Sequence, residues 1–399
     1  MSKGDMTMIN DEIVDDLEDY ITDNQVYKNL RRRSASLAFI LTIFLPILLF
    51  FFNIACTPRR TVVESFQHIY SMIVFDLDCL AIVLGWLLIQ SIFFIPIRNK
   101  FYQPSDTISS YRRNGIVAFV FSLSGIYLLN WLNIIRASYV YDNIHKILLA
   151  SMIVSGFISL LLYMKGTGIR HSKQINPIIA FFYGTDIDLT IAGSNLKLFF
   201  ELRVGLIGWA CLNLCFFLKT MELYTYRRLP ACMLTVVQQI LHALQLIWYE
   251  EDHRMNDNRK KETIGFIRIF GSLCWFPFLW CLPCQYLTLV NYPIKNLYIF
   301  GSIIVFIIGM FMYRASHNQQ ETSKKLCKKN VKSMIFNDEF IFLTSNHCCL
   351  YRHPYYLSYL LMLMSWSLPC GSASIPWMLP TYYLLVICHK SHSEGLVSH

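Results

Sequence analysis

Charged side chains are scarce in this chain. Asp, Glu, Lys and Arg make up 15% of its 399 residues, whereas hydrophobic residues make up 55%. This balance excludes an ordinary soluble globular protein, in which about one quarter of the residues are charged. The sequence also lacks a repeat of fixed period and a Gly-rich or Pro-rich linker, so it does not indicate a solenoid or a separate soluble module. We therefore expect an all-α polytopic membrane protein with one membrane domain.

The thirteen cysteines lack the regular spacing of a disulfide framework or a metal site. Most lie in apolar segments, where a thiol behaves as a small hydrophobic group. Two close pairs, Cys281 with Cys284 and Cys348 with Cys349, have no matching pair elsewhere in the chain. We expect buried apolar cysteines and predict no zinc site.

Apolar runs that approach the ~20 residues of a membrane-spanning helix recur along the chain. They predict about ten transmembrane helices, near residues 35–55, 70–97, 115–136, 144–164, 199–220, 229–249, 264–283 and 297–313, with a closely spaced pair near 355–388. No cleavable signal is apparent before the first run. The predicted organisation is a polar cytosolic segment at 1–34, a transmembrane domain at 35–390 and a short polar tail at 391–399.

Basic residues are distributed unevenly among the predicted loops. The amino-terminal segment and the loops at 98–114, 165–198 and 251–263 contain more Lys and Arg than the loops around 56–69 and 137–143. The positive-inside rule then places both termini in the cytosol. The formal net charge of +9 follows from this topology. Since no basic run is interleaved with aromatic residues, we expect no direct nucleic-acid binding.

The most informative motif spans residues 350–371, LYRHPYYLSYLLMLMSWSLPCG. Its Arg-His-Pro triplet directly precedes an apolar run, which in a bilayer indicates a polar pocket. The motif resembles the carboxy-terminal signature of the delta-14 and delta-7 sterol reductases, a family that includes the lamin B receptor membrane domain. Further segments resemble that family in the same order, at 110–119, 196–209, 248–251 and 270–278. The resemblance implies a sterol reductase-like fold.

The resemblance also implies a chemistry. These enzymes protonate a ring double bond of a sterol and transfer hydride from NADPH to the resulting carbocation. If this chain is active, the resemblance implies catalytic roles for Asp186, Glu262 and Tyr356. The implied cofactor contacts are Gln319, Lys324, Arg352 and His353. The implied substrate contacts are Phe181, Phe182, Glu201, Arg203 and Trp275.

Glu201 and Arg203 also have structural interpretations. They lie at the start of a long apolar helix, where an unpaired charge is costly. A charge pair at the helix end would remove that cost, as would a polar cavity lined by both residues. Arg203 has the further option of extending its side chain to the membrane interface.

Several substitutions separate this chain from the family pattern. The family's Glu-Leu-Asn-Pro-Arg block is replaced by residues 186–190, which keep an acid at Asp186 but have Thr190 in place of the arginine. In the cofactor motif, Gln320 replaces a lysine and Lys324 replaces an arginine. A glutamine carries no charge, and a lysine lacks the bidentate geometry of a guanidinium. We therefore expect NADPH-dependent reduction to be impaired or lost.

Other functions stay open at this point. One alternative is a divergent but active NADPH-dependent delta-14 or delta-7 sterol reductase, and another is a lamin B receptor-like nuclear-envelope scaffold. The short segment before the first helix argues against a chromatin-tethering role. A transporter or channel is disfavoured because the chain has no charged ring and no paired broken helices. In each favoured case we expect the endoplasmic reticulum membrane or inner nuclear membrane, with sterol or sterol-like lipids and membrane lipids as partners.

Overall fold

Apolar helices dominate the computed structural model of this protein. The structure describes residues 26–56, 75–94, 114–166, 175–187, 189–191, 194–223, 229–249, 263–289, 296–331 and 354–397. Within these residues, seven helical stretches are long and apolar enough to cross a membrane: Ala35–Ala55, Leu77–Phe94, Ile144–Gly166, Leu196–Leu223, Ala231–Trp248, Phe266–Leu289 and Asn296–Asn318. Shorter apolar helices lie at Gly115–Trp131 and Ser374–Cys388. The predicted helical, polytopic membrane fold is confirmed.

The α-helices are numbered here in chain order. They are α1 Ala35–Ala55, α2 Leu77–Phe94, α3 Gly115–Trp131, α4 Ser138–Asp142, α5 Ile144–Gly166, α6 Pro177–Tyr183, α7 Leu196–Leu198, α8 Gly208–Leu223, α9 Leu229–Trp248, α10 Phe266–Phe270, α11 Phe276–Trp280, α12 Leu282–Leu289, α13 Asn296–Val331, α14 Pro354–Ser367 and α15 Ser374–Val397. Two π-helices, π1 Phe199–Ile207 and π2 Gly271–Trp275, and a 3₁₀ turn at Leu368–Cys370 are also present, and residues 26–31 are helical before α1. Strands β1 Thr190–Ile191 and β2 Ser194–Asn195 pair antiparallel, with Thr190 opposite Asn195.

Local sequence explains where two of these helices begin. Helix α1 follows Ser34, whose Oγ accepts a hydrogen bond of 3.3 Å from the backbone N–H of Leu37. Helix α6 follows Asn176, whose side chain accepts from the backbone N–H of Ile178, and it has Pro177 at its first position. Both caps satisfy a backbone donor that the helix itself leaves unpaired, and proline is well tolerated at the first helical position.

The chain divides into two compact units. Unit 1 comprises Met1–Phe216 and Ala243–Cys281, and unit 2 comprises Phe217–His242 and Leu282–His399. In unit 1, α5 packs against α2 and α10, and α6 packs against α1 and α10. In unit 2, α14 packs against α13 and α15. The single membrane domain expected from the sequence stays a prediction.

Gly309 allows helices α13 and α14 of unit 2 to pack closely. A Cβ atom added to Gly309 in α13 would lie 3.1 Å from the carbonyl oxygen of Ser358 in α14. The bare glycine backbone therefore lets α13 and α14 approach closely. This contact brings the aromatic residues at the start of α14 against those of α13.

The cysteines occupy the interior, as the sequence predicts. Of the ten cysteines whose side chains the structure describes, nine are buried and Cys388 is exposed. They contribute to packing as small apolar groups.

Candidate functional site

The first of two candidate sites lies in unit 1, where two backbone segments cross. Gly184 ends α6 with φ of 84°, a conformation that glycine adopts at little cost. A Cβ atom on Gly184 would collide with the carbonyl of Ile264, and one on Gly265 would collide with the backbone of Gly184. The two glycines therefore permit direct contact between residues 183–187 and residues 263–265.

Hydrogen bonds hold this crossing in register. The hydroxyl of Thr263 donates to the carbonyl of Tyr183 at 2.8 Å, and the N–H of Ile264 donates to the carbonyl of Asp186 at 3.4 Å. Ile187 forms an isolated antiparallel bridge with Thr263. The structure thus joins the two segments in which the sequence predicts acidic residues. Glu262 itself lies outside the described residues, directly before Thr263.

Asp186 is the buried acid of this segment, which we call the acid loop, residues 184–187. The side chain is 9% exposed, and no hydrogen-bond partner is found for its Oδ1 among the described residues. Burial raises the pKa of Asp186, and the positive charge of Lys165 only partly opposes this rise. The carboxyl group therefore holds its proton to a higher pH than an exposed aspartate does. Such a group is chemically suited to donate a proton.

Aromatic side chains line the acid loop. The ring of Phe181 stacks on Phe266, with 5.6 Å between centroids and an interplanar angle of 22°. Phe266 stacks in turn on Phe270 at 5.3 Å, and the buried Phe182 approaches Phe266 at 6.2 Å. The predicted substrate residues Phe181 and Phe182 thus belong to one aromatic wall on α6 and α10.

The charged residues Glu201 and Arg203 are both engaged by neighbours in unit 1. Glu201 forms an ion pair with Arg268 of α10. Arg203 is only 1% exposed and donates from Nη2 to Oδ1 of Asn114 at 2.8 Å. The charge-pair interpretation therefore describes Glu201, and Arg203 does not extend to an interface. Their contact with a substrate stays a prediction, as does that of the half-buried Trp275 at the end of π2.

The second candidate site is a cluster of rings in unit 2, which we call the aromatic cluster: His242, Tyr313, Tyr355, Tyr359 and Trp366. His242 is fully buried, with ring centroids 5.2 Å from Tyr359, 5.5 Å from Trp366 and 6.0 Å from Tyr313. Tyr355 packs on Tyr313 at 5.2 Å. The cluster therefore surrounds a titratable imidazole with phenol and indole groups.

Tyr356, the tyrosine singled out from the sequence, borders this cluster. Its ring meets that of Tyr355 edge to face at 5.9 Å. Tyr359 extends the cluster in another direction, to Tyr383 of α15 at 4.9 Å. The carboxy-terminal motif at 350–371 thus supplies Tyr355, Tyr359 and Trp366 of the aromatic cluster.

A chain of hydrogen bonds between three polar residues, which we call the polar clasp, lies in the same unit. Gln238 donates from Nε2 to Oγ of Ser302 at 2.9 Å, and Ser302 donates to the carbonyl of Ser365 at 2.8 Å. Sequence reasoning missed both this clasp and His242. Helix α9 also carries Gln239 and Gln245, so its sequence offered no signal specific to His242 or to the clasp.

The predicted cofactor residues fall where side chains are not described. Gln319 and Lys324 lie on α13 beyond its described side chains, and Arg352 and His353 lie outside the described residues. Among the side chains described in unit 2, the cations are Lys219 and Arg314. Neither belongs to the aromatic cluster. The predicted cofactor contacts therefore stay a prediction.

Comparison with known proteins identifies the family of this chain. A model of the ergosterol biosynthesis ERG4/ERG24 family matches residues 33–395. The chain belongs to this family. The match covers the helices that contribute to both candidate sites, so the resemblance drawn from separate motifs is confirmed over most of the chain.

Relatives of this ERG4/ERG24 family member include delta(14)-sterol reductases. The Gallus gallus delta(14)-sterol reductase LBR is 25% identical over 390 residues, which cover 90% of this chain and 59% of that protein. The Mus musculus delta(14)-sterol reductase TM7SF2 is 29% identical over 254 residues, 60% of each protein. The delta(14)-sterol reductase of Methylotuvimicrobium alcaliphilum is 26% identical over 302 residues, which cover 73% of this chain and 70% of that protein. The chain thus spans about three fifths of the two vertebrate relatives.

Proposed function

We propose that this ERG4/ERG24 family member binds a sterol or sterol-like lipid, and that its NADPH-dependent double-bond reduction is impaired or lost. The relatives, named as sterol reductases, support the ligand class. The observation that carries the proposal is the loss of charge in two motifs of the sequence. Thr190 stands where the family pattern has an arginine, and Gln320 stands where it has a lysine.

The size of the cofactor defect follows from these substitutions. Replacement of a lysine by Gln320 and of an arginine by Lys324 weakens two charged contacts. A hydrogen bond to a charged group contributes roughly 1.5–3 kcal/mol, so the loss of two weakens binding by about two to four orders of magnitude. An affinity that is micromolar in an intact relative then becomes millimolar or weaker.

Calorimetry with NADPH and detergent-purified protein tests this proposal. We expect no measurable binding to the wild type and a gain of binding in the double variant Gln320→Lys, Lys324→Arg. Lys325→Arg is the matched control, because it makes the same chemical change one residue further on and should gain nothing. Saturable micromolar binding to the wild type that Arg352→Ala abolishes would overturn the proposal.

A photoreactive sterol tests ligand binding separately. We expect crosslinking that an excess of unlabelled sterol suppresses, with labelled peptides that include Phe181 or Phe182. These residues form the aromatic wall beside the acid loop. Labelling no stronger than that of an unrelated polytopic membrane protein would contradict sterol binding.

The second candidate function is that of an active, divergent delta-14 or delta-7 sterol reductase. One structural observation favours it: burial raises the pKa of Asp186, as a proton donor requires. In this case, expression in cells that lack their own delta-14 or delta-7 reductase should restore the reduced sterol, and Asp186→Asn should abolish the restoration. Asp78→Asn, at an exposed carboxylate, should have no effect. Accumulation of the unreduced sterol despite normal expression would exclude this candidate.

We further propose that both termini face the cytosol, in the endoplasmic reticulum membrane or the inner nuclear membrane. The distribution of basic loops supports this orientation. Glycosylation reporters fused at residue 1 and at residue 399 should remain unmodified. Modification of either reporter would overturn the proposed topology.

A further inference from the structure

An apolar cavity lies in unit 1, separate from the acid loop. Its volume is about 130 Å³. The wall is formed by helices α2, α3 and α5, by Val140 of α4, and by the two long spans that contain the π-helices. The lining includes Trp86, Ser151, Val204, Gly208, Cys211 and Leu273. None of them belongs to the predicted catalytic, cofactor or substrate residues.

The two π-helices help to shape this cavity. Segments of π-helix are rare and usually short, and they widen the helical turn. Here π1 and π2 touch, since a Cβ atom on Gly205 would lie 2.8 Å from the carbonyl oxygen of Ser272. Val204 of π1 and Leu273 of π2 then contribute to the cavity wall. A local departure from α-helical geometry in both spans thus accompanies the open space between them.

Trp86 closes one side of the cavity without leaving its polar atom unpaired. The indole Nε1 donates to the carbonyl of Val204 at 3.3 Å. Gly208 leaves room for this indole, because an added Cβ atom would lie 3.3 Å from Nε1. The indole N–H is therefore satisfied by the protein, and a ligand that contacts Trp86 does not need to accept a hydrogen bond.

The size and lining of the cavity limit what can enter. Aliphatic and aromatic side chains dominate the lining, and Cys211 adds a thiol with apolar character. A cavity of about 150 Å³ with such a lining stays dry and admits a benzene-sized molecule. Sites that enclose a whole drug-sized ligand take up about 300–1,000 Å³. This cavity therefore holds a short stretch of hydrocarbon but not a sterol ring system.

The position of the cavity identifies the source of that hydrocarbon. Most of its wall belongs to helical stretches that are long and apolar enough to cross a membrane, and the shorter helices α3 and α4 contribute Ile126 and Val140. Ile82, one of the lining residues, is 38% exposed on α2, so the cavity borders the surface that faces lipid. In a bilayer the molecules present at that surface are acyl chains. We propose that this cavity is a binding site for the terminal hydrocarbon segment of a phospholipid acyl chain.

Photolabelling in vesicles tests the site. The full-length protein is reconstituted in phosphatidylcholine that carries a diazirine near the end of one acyl chain, and labelled peptides are mapped by mass spectrometry. We expect labelling of peptides that contain Trp86, Cys211 and Leu273, above the level of buried peptides elsewhere in unit 1. Labelling at the buried-peptide level would overturn the proposal.

Cavity-filling variants separate occupation of the cavity from labelling of the outer surface. Cys211→Phe should remove labelling of the cavity peptides and leave that of exposed α1 residues such as Ile40 unchanged. Leu160→Phe, on the lipid-facing side of α5, is the matched control and should change nothing at the cavity. Ser151→Leu is the second filling variant, for use if Cys211→Phe does not fold. Unchanged cavity labelling in a folded filling variant would overturn the proposal.

A parallel reconstitution distinguishes the acyl chain from a sterol tail. It contains unlabelled phosphatidylcholine and a sterol with a diazirine in its side chain. We expect little labelling of the cavity peptides by this sterol. If the sterol labels these peptides and the phospholipid does not, the acyl-chain assignment is wrong.

Discussion

The contact between Gly184 and Gly265 yields a sharp prediction, because it positions the acid loop. In Gly265→Ala the new methyl group would lie 2.6 Å from the carbonyl oxygen of Phe182 and would collide with the backbone of Gly184. Gly265 has φ of −133°, a conformation that alanine adopts without strain. Gly265→Ala therefore tests the steric collision alone, without a contribution from backbone strain. Since backbone atoms cannot rotate away, we expect a loss of stability of about 1–3 kcal/mol, typical of overpacking.

Two more alanine variants provide a comparison for the loss of stability in Gly265→Ala. Gly184→Ala adds the cost of a positive φ, roughly 1–2 kcal/mol, to a similar collision and should be less stable than Gly265→Ala. Gly271→Ala, in the span that begins directly after Gly265, introduces a methyl group with no neighbour within 4 Å. It should be neutral or stabilising by up to about 1 kcal/mol, because alanine favours a helix more than glycine does.

Thermal unfolding in detergent tests the predicted order of stability. We expect Gly271→Ala to equal or exceed the wild type, followed by Gly265→Ala and then Gly184→Ala. Crosslinking of a photoreactive sterol to Phe181 should fall in the two variants at the crossing and persist in Gly271→Ala. If Gly265→Ala unfolds at the temperature of Gly271→Ala, the two backbones do not cross as described.

Three further predictions concern buried or paired polar groups of unit 1. Because burial raises the pKa of Asp186 in the folded state, its contribution to stability is greatest below its ordinary pKa and is lost as the pH rises through the raised value. Asp186→Asn should abolish this decline in melting temperature, which begins above about pH 4. Asn114→Ala removes the acceptor for Arg203 and should cost about 1.5–3 kcal/mol in chemical unfolding, whereas Asn114→Asp should retain most of the stability. Glu201→Gln breaks a partly exposed ion pair with Arg268, so a cost above about 1 kcal/mol would be unexpected.

The amino-acid sequence by itself determined the membrane-spanning character of this protein. A bilayer requires long apolar helices because it offers no partners to unpaired backbone groups, and this requirement is readable as uninterrupted hydropathy. The run predicted at 35–55 thus coincides with helix Ala35–Ala55. The motifs that resemble the sterol reductases likewise indicated the family over most of the chain.

Only the tertiary structure decided how individual residues meet. Hydropathy does not distinguish an α-helix from a π-helix, so π1 and π2 and the cavity beside them were not predictable from the sequence. Nor did the sequence reveal that Gly184 and Gly265 touch, because their contact joins segments about 80 residues apart. His242 was missed because an isolated histidine in an apolar helix has no local signature. Its surroundings arise from rings on three other positions of the chain, Tyr313, Tyr359 and Trp366, which come together only when α9, α13 and α14 pack.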